Sequence, residues 1–244
     1  VYRNTSGNTW TAVYTANASD TDGAVTYSIV FSDTAGNSGT AVTSGSGSVT
    51  TDTTAPTLSS VSIASDNTNT SKAKAGDNVT LTFTASKSIS TPTVTFASGG
   101  SLVNGNVTVQ NTSENTWTAS FAARVNSTDG PVTFSVSFND TIGNAGTAVT
   151  ATSDGTSVAI DNSAPTLSSV SIASDNTNTT KAQANDDITL TFTASDAIGT
   201  PVVTFRSGGD AITDGSVVYR NTSGNTWTAV YTANASDTDG AVTY

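Results

Sequence analysis

Val79-Thr80-Leu81-Thr82-Phe83-Thr84-Ala85 sets four apolar residues against three threonines in strict alternation. Successive side chains of an extended chain point to opposite faces, so this period of two predicts a β-strand with one buried and one polar face. On its N-terminal side, Thr57–Ala64 reads as a strand whose Val61 and Ile63 share a face. Leu58 is out of phase with them, which predicts a bulge at Ser59–Ser60. The polar stretch Ser65–Asp77 between the two strands reads as a loop.

C-terminal to the opening stretch, Thr93–Phe96 predicts a short strand and Gly99–Gly105 a turn. Val107–Gln110 and Thr116–Phe121 predict a hairpin. Trp117, Ala119 and Phe121 fall on one face, which is expected to be core; Trp10, Ala12 and Tyr14 repeat the pattern and carry the same expectation. After the Asp129–Gly130 turn, Val132, Phe134, Val136 and Phe138 alternate with polar residues. Thr147–Thr152 and Ser157–Ile160 close the set around a turn at Ser153–Gly155. About seven such strands with no helical periodicity predict an all-β fold, an antiparallel β-sandwich.

The pattern recurs along the chain. Trp10, Trp117 and Trp227 are 107 and 110 residues apart, and Pro56 and Pro165 are 109 apart. Residues Val1–Tyr27 return letter for letter as Val218–Tyr244. Strands need only an alternating pattern, so an identical run of this length reports duplication with a two-repeat period rather than a structural requirement. The reading divides the chain into the C-terminal half of one repeat at 1–52, a complete repeat at 53–161 and the first three-quarters of another at 162–244. The chain is expected to be an excerpt of something longer.

Composition narrows function. The 244 residues contain no Cys, Met or His, and 19 acidic against 8 basic residues give a formal charge of −11. That charge repels nucleic acid and anionic membrane surfaces. With neither thiolate nor imidazole there is no ordinary catalytic triad and no zinc-type site, and the chain is read as no enzyme. No apolar run is long enough to span a bilayer and no leader opens the chain, so no membrane insertion is expected in this segment. Any signal peptide or anchor is expected outside it.

The junctions Asp52-Thr-Thr-Ala-Pro-Thr57 and Asp161-Asn-Ser-Ala-Pro-Thr166 resemble the boundaries of bacterial immunoglobulin-like tandem repeats. So do the late-strand motifs Phe31-Ser-Asp-Thr-Ala-Gly-Asn37 and Phe138-Asn-Asp-Thr-Ile-Gly-Asn144. The resemblance covers the whole chain. It implies a secreted or cell-surface location and a structural role, as a spacer in an extracellular filament or giant adhesin stalk. The alternative is an adhesive module whose loops at Ser65–Asp77 and Ala97–Asn106 recognise a glycan or another cell surface. Expected partners are neighbouring repeats of the same chain, with lateral self-assembly into a fibre by strand exchange as a further expectation.

Calcium is the ligand with most motivation, because hard cations seek the oxygens of Asp and backbone carbonyls. Asp33 and Asp140 precede tight turns near the end of a repeat, while Asp52 and Asp161 mark the junctions. Folding is expected to bring these four metal candidates to a pole, although one Asp per junction is few for calcium. The competing reading is that each Asp initiates a turn through its own backbone. The threonine rows suit a solvated sheet face better than an ice-binding one. Sequons at Asn4, Asn78, Asn106, Asn111 and Asn126 are expected by chance in so Ser/Thr-rich a chain. Lys72 and Lys181 lie in polar contexts that fit solvated lysines rather than isopeptide cross-links.

Overall fold

The computed structural model describes residues 1–103, 105–212 and 216–244. The chain forms two compact units, Val1–Asn162 and Ser163–Tyr244. Among the described residues every regular element is a strand.

The opening stretch is the Asn78–Ala85 strand, and it lies inside a four-stranded sheet. Leu58–Ser65 pairs with one edge and Thr116–Ala122 with the other, and Thr108–Ser113 extends the sheet beyond the latter, all antiparallel. The register slips between Leu58 and Ser60, where the out-of-phase leucine predicts a bulge. Opposite lies a five-stranded sheet built on Gly130–Ser137, flanked by Thr93–Ser98 and Ser101–Leu102 on one side. Its other flank holds Ala159–Ile160 and then Lys72–Ala73, which pair in parallel. This repeat is an immunoglobulin-like β-sandwich.

The alternation becomes the core. Val79, Leu81 and Phe83 are fully buried, and Phe83 stands opposite both Trp117 and Val61 in the ladder. Phe96 of one sheet meets Phe121 of the other with ring centroids 4.9 Å apart. Burying side chains of this size stabilises by roughly 1.5–3 kcal/mol each, which is why a repeat without disulfides can hold together. Thr80, Thr82 and Thr84 are half-buried on the outer face, and Thr84 Oγ1 lies 3.2 Å from Thr116 Oγ1 across the sheet.

Two turns follow from glycine. Gly130 has φ +133°, and a Cβ there would stand 2.9 Å from Gly99 Cα, so the Asp-Gly turn and the Gly-Gly turn can pack backbone to backbone only without side chains. The predicted turn at 99–105 includes Asn104, which lies outside the described residues. The 153–156 segment crosses back to the other sheet: Val61 N–H donates to Ser153 Oγ and Ile63 N–H to Thr156 Oγ1, both at 2.9 Å. The hydroxyls thus satisfy the edge of Leu58–Ser65, where an unpaired strand would expose its backbone.

Residues 1–51 correct one expectation. Trp10 and Tyr14 are exposed at 66% and 65%, although their face was expected to be core. Their letter-for-letter counterparts Trp227 and Tyr231 are half-buried and 1% exposed. The reason is neighbours: among the described residues Thr9–Ala12 pairs only with Tyr2–Ser6, whereas Thr226–Thr232, beside Val218–Ser223, also pairs with Asp187–Ala194.

The unit Ser163–Tyr244 repeats the first sheet as Leu167–Ser174, Asp187–Ala194, Thr226–Thr232 and Val218–Ser223. A smaller sheet contains Asp210–Ala211, Arg206–Ser207 and Val242–Thr243. Ile188, Leu190, Phe192, Phe205 and Tyr231 form its core.

Candidate functional site

At one pole of the complete repeat, three segments distant in sequence converge on the junction Asp52–Thr54. The Phe138–Asn144 turn supplies Asp140, which is 2% exposed. Its Oδ1 accepts hydrogen bonds from the backbone N–H groups of Ile142, Gly143 and Asn144 at 3.1, 2.8 and 2.8 Å. Its Oδ2 accepts from the Asn144 side-chain amide at 2.8 Å. Burial pushes the Asp140 carboxyl up, but these donors together outweigh it and hold the group below the usual carboxylate range.

Lys87 reaches in from the loop after Asn78–Ala85. Its Nζ donates to both carboxylate oxygens of Asp52 at 2.7 and 2.8 Å and to the Thr54 carbonyl at 2.6 Å. The same nitrogen stands 3.5 Å from Asp140 Oδ2. The Asp52 hydrogen bond raises the Lys87 ammonium above its ordinary value, against a smaller opposing effect of burial. Asn144 completes the pole by donating to the Asp52 carbonyl at 2.9 Å.

From the preceding repeat, Asp22 grips the same residues. Its carboxylate accepts from Thr53 N–H at 2.6 Å and from the hydroxyls of Thr53 and Thr54. The Thr54 hydroxyl leads these donors in lowering the Asp22 carboxyl to about 2. The following junction has a parallel: Asn162 N–H donates to Asp129 Oδ1 at 2.8 Å, and the Asn162 side chain ties together Ala75, Arg124 and Ser127. Asp22 and Asp129, in corresponding Asp-Gly turns, therefore each hold the residues that follow their own repeat.

Of the four metal candidates, the fold brings Asp52 and Asp140 together, with an ammonium between them. Asp33 builds its own turn, accepting from Ala35 N–H, Asn37 N–H and the Asn37 amide. The Asp161 N–H donates to the Ala73 carbonyl. Among the described residues no group of three or more acidic side chains is placed to hold a metal. The pole does not fit calcium, which takes 6–8 oxygens. The oxygens of Asp140 already accept four N–H groups, and Lys87 occupies the position a cation would take.

Sequence reading missed Lys87, Asn144, Asp22 and Asp129. The Gly-Asn ending of both late-strand turns was a usable signal for Asn144. Lys87 had none, because Asp196 stands 109 residues after it where a repeated motif would show lysine.

No protein-family model matches the chain, and no curated protein matches it. Solved structures similar to it include an I-band fragment of titin, 10% identical with a TM-score of 0.39, over 78% of this chain and 63% of that one. The titin Z1Z2 domains in complex with telethonin are 15% identical with a TM-score of 0.28, over 77% and 86%. The chain thus spans 63% of the first of these structures. The sandwich architecture rests on the sheets and cores described above and not on these likenesses.

Proposed function

We propose that this chain is a structural segment of a tandem array, serving as a spacer in an extracellular surface filament or adhesin stalk of the kind bacterial immunoglobulin-like repeats form. One observation carries the reading: Asp52–Thr54 is held from the preceding side by Asp22 and from the following side by Lys87 and Asn144. A junction gripped at both ends resists bending, and Pro56, itself fully buried, restricts the backbone further. The role is mechanical rather than catalytic, and Lys87 supplies at the pole the positive charge that a calcium ion would otherwise bring.

The alternative, adhesion through loops, would draw on residues 65–77 and 97–106. In the first loop, however, the Asn67 amide donates to Asp77, the Asn67 carbonyl accepts from Asn69 N–H, and the Asn69 carbonyl accepts from Ser71. Groups spent within the loop are not offered to a sugar. The test is labelling of intact source cells with an antibody against residues 53–161, viewed by electron microscopy. Label spaced regularly along surface filaments supports the proposal; label confined to the cell interior overturns it.

A further inference from the structure

Four Asp–Gly bonds lie among the described residues: Asp22–Gly23, Asp129–Gly130, Asp154–Gly155 and Asp239–Gly240. In such a pair the side-chain carboxyl approaches the next backbone amide freely, because glycine has no Cβ to obstruct it. Structure separates the four. Gly23 pairs with Thr51 and Gly130 with Ile160 in β-ladders, and the Asp22 and Asp129 carboxylates hold the junction residues. A Cβ at Gly240 would stand 2.5 Å from Gly208 Cα, so that turn is packed against another. A Cβ at Gly155 would meet nothing within 4 Å, and Asp154 and Gly155 are both exposed. Among the described residues the Gly155 N–H donates no backbone hydrogen bond.

The Asp154 carboxyl is held beside that free amide. Its Oδ1 accepts from the Thr156 N–H at 3.0 Å and from the Thr156 hydroxyl at 2.7 Å. The ring closed by the first of these bonds runs through both Asp154 Cγ and Gly155 N, as in any Asx turn, and keeps the two on one side of the chain. The turn also matters to the sheet. Thr156 Oγ1 accepts the Ile63 N–H at 2.9 Å, and the Thr156 carbonyl accepts the Thr152 hydroxyl at 2.9 Å.

We propose that Asp154–Gly155 is a self-modification site, at which the aspartate converts to isoaspartate through a cyclic imide with water as the only co-reactant. The Gly155 nitrogen attacks Cγ of the protonated Asp154 carboxyl. The N–Cγ bond forms, the C–OH bond breaks, and the hydroxyl leaves with the amide proton as water. Solvent water then adds to the Asp154 main-chain carbonyl carbon, and the bond from that carbon to Gly155 N breaks. The two waters cancel, so the mass is unchanged. The chain now runs through Cβ and Cγ, one methylene longer, and the former carbonyl is a free carboxylate. Thr156 cannot keep both its bond to Asp154 and its place under Ile63, so the Ile63 N–H loses its acceptor and the edge of Leu58–Ser65 opens. The corresponding turn of the preceding repeat, Ser44-Gly-Ser-Gly47, has no Asp and is exempt. The inference rests on the chemistry of the turn and not on the proposed spacer role.

Ageing the folded 244-residue chain in mildly acidic buffer tests it. Trypsin then releases Val125–Lys181, which carries Asp129–Gly130 and Asp154–Gly155 on one peptide. Electron-transfer fragmentation reads isoaspartate at each position. The expected result is isoaspartate accumulating several-fold faster at 154 than at 129, with a transient form lighter by one water. Asp154→Glu, whose longer side chain closes a larger and slower ring, should gain none at 154. The aged wild type should melt below the fresh protein, while aged Asp154→Glu should melt with its own fresh sample. Isoaspartate absent from 154 while the urea-unfolded chain accumulates it overturns the proposal, and so do equal rates at 129 and 154. Isoaspartate at 154 with an unchanged melting temperature overturns the link to the Leu58–Ser65 edge.

Discussion

Lys87 Nζ lies 2.7 Å from Asp52 Oδ1 across 35 residues of sequence, and it is the closest cation to the buried Asp140 carboxylate. A junction residue and a pole residue are thereby locked by one ammonium.

Replacing that ammonium should be felt at both ends. Lys87→Ala leaves Asp140 without its neighbouring positive charge and frees Asp52, and should lower the melting temperature by a few degrees. Lys87→Arg should recover part of the loss. Calcium added to the EDTA-treated wild type should leave the melting temperature where it was. A calcium-dependent rise in the wild type would contradict the assignment of Lys87 as the resident cation.

Acid should loosen the junction first. The Asp22 carboxyl is held at about 2, below its unfolded value near 4. A depressed carboxylate contributes stability that is complete above the unfolded value and is lost as pH falls through the folded one. The contribution of Asp22 should therefore fade between about pH 4 and pH 2, and Asp33, Asp77 and Asp140, also lowered, act in the same direction. Lys87 is raised, so its contribution is present below its unfolded value and is lost as pH rises through the folded one. Asp22→Asn should flatten the acid limb of a pH–stability curve measured by thermal unfolding.

The core makes opposite predictions at two aromatic positions. Phe83→Ala empties a fully buried site and should cost about 3–5 kcal/mol. Trp117 is also buried, but its indole N–H has no hydrogen-bond partner. An unsatisfied buried donor costs about 1–3 kcal/mol, so Trp117→Phe recovers part of what it loses in apolar area and should change stability by no more than about 1 kcal/mol. Urea unfolding of both variants separates them.

The three tryptophans should report their surroundings. Trp10 is exposed while Trp117 is buried and Trp227 half-buried. Acrylamide should quench one emission component readily, and Trp10→Phe should remove that component.

The alternation at Val79–Ala85 made the core face readable because burial in a sandwich follows strand phase and little else. Leu58, out of phase, made the bulge readable for the same reason. Trp10 shows where phase stops: it selects a face, but burial requires another strand opposite, and that depends on the rest of the chain. The pole was harder to read. Asp140 as a turn residue was legible from its own loop, because its donors lie within four residues. Lys87 and Asp22 act across more than 30 residues on partners that no local pattern marks, and Lys87 does not recur in the next repeat. The parallel pairing of Lys72–Ala73 with Ala159–Ile160 was hidden likewise, since two residues are too few to show a period.

The measurement closest to the central claim is single-molecule pulling on the chain from its two ends. The core of the complete repeat, from Val61 to Ile160, should give its own unfolding step. That step should release roughly 35 nm of chain, as expected for about 100 residues extended at about 3.5 Å each. A separate, weaker step should come from Ser163–Tyr244, and Lys87→Ala should lower the force of the first step. One event for the whole chain, or a first step indifferent to Lys87, would contradict a spacer built from independently folded repeats locked at their poles.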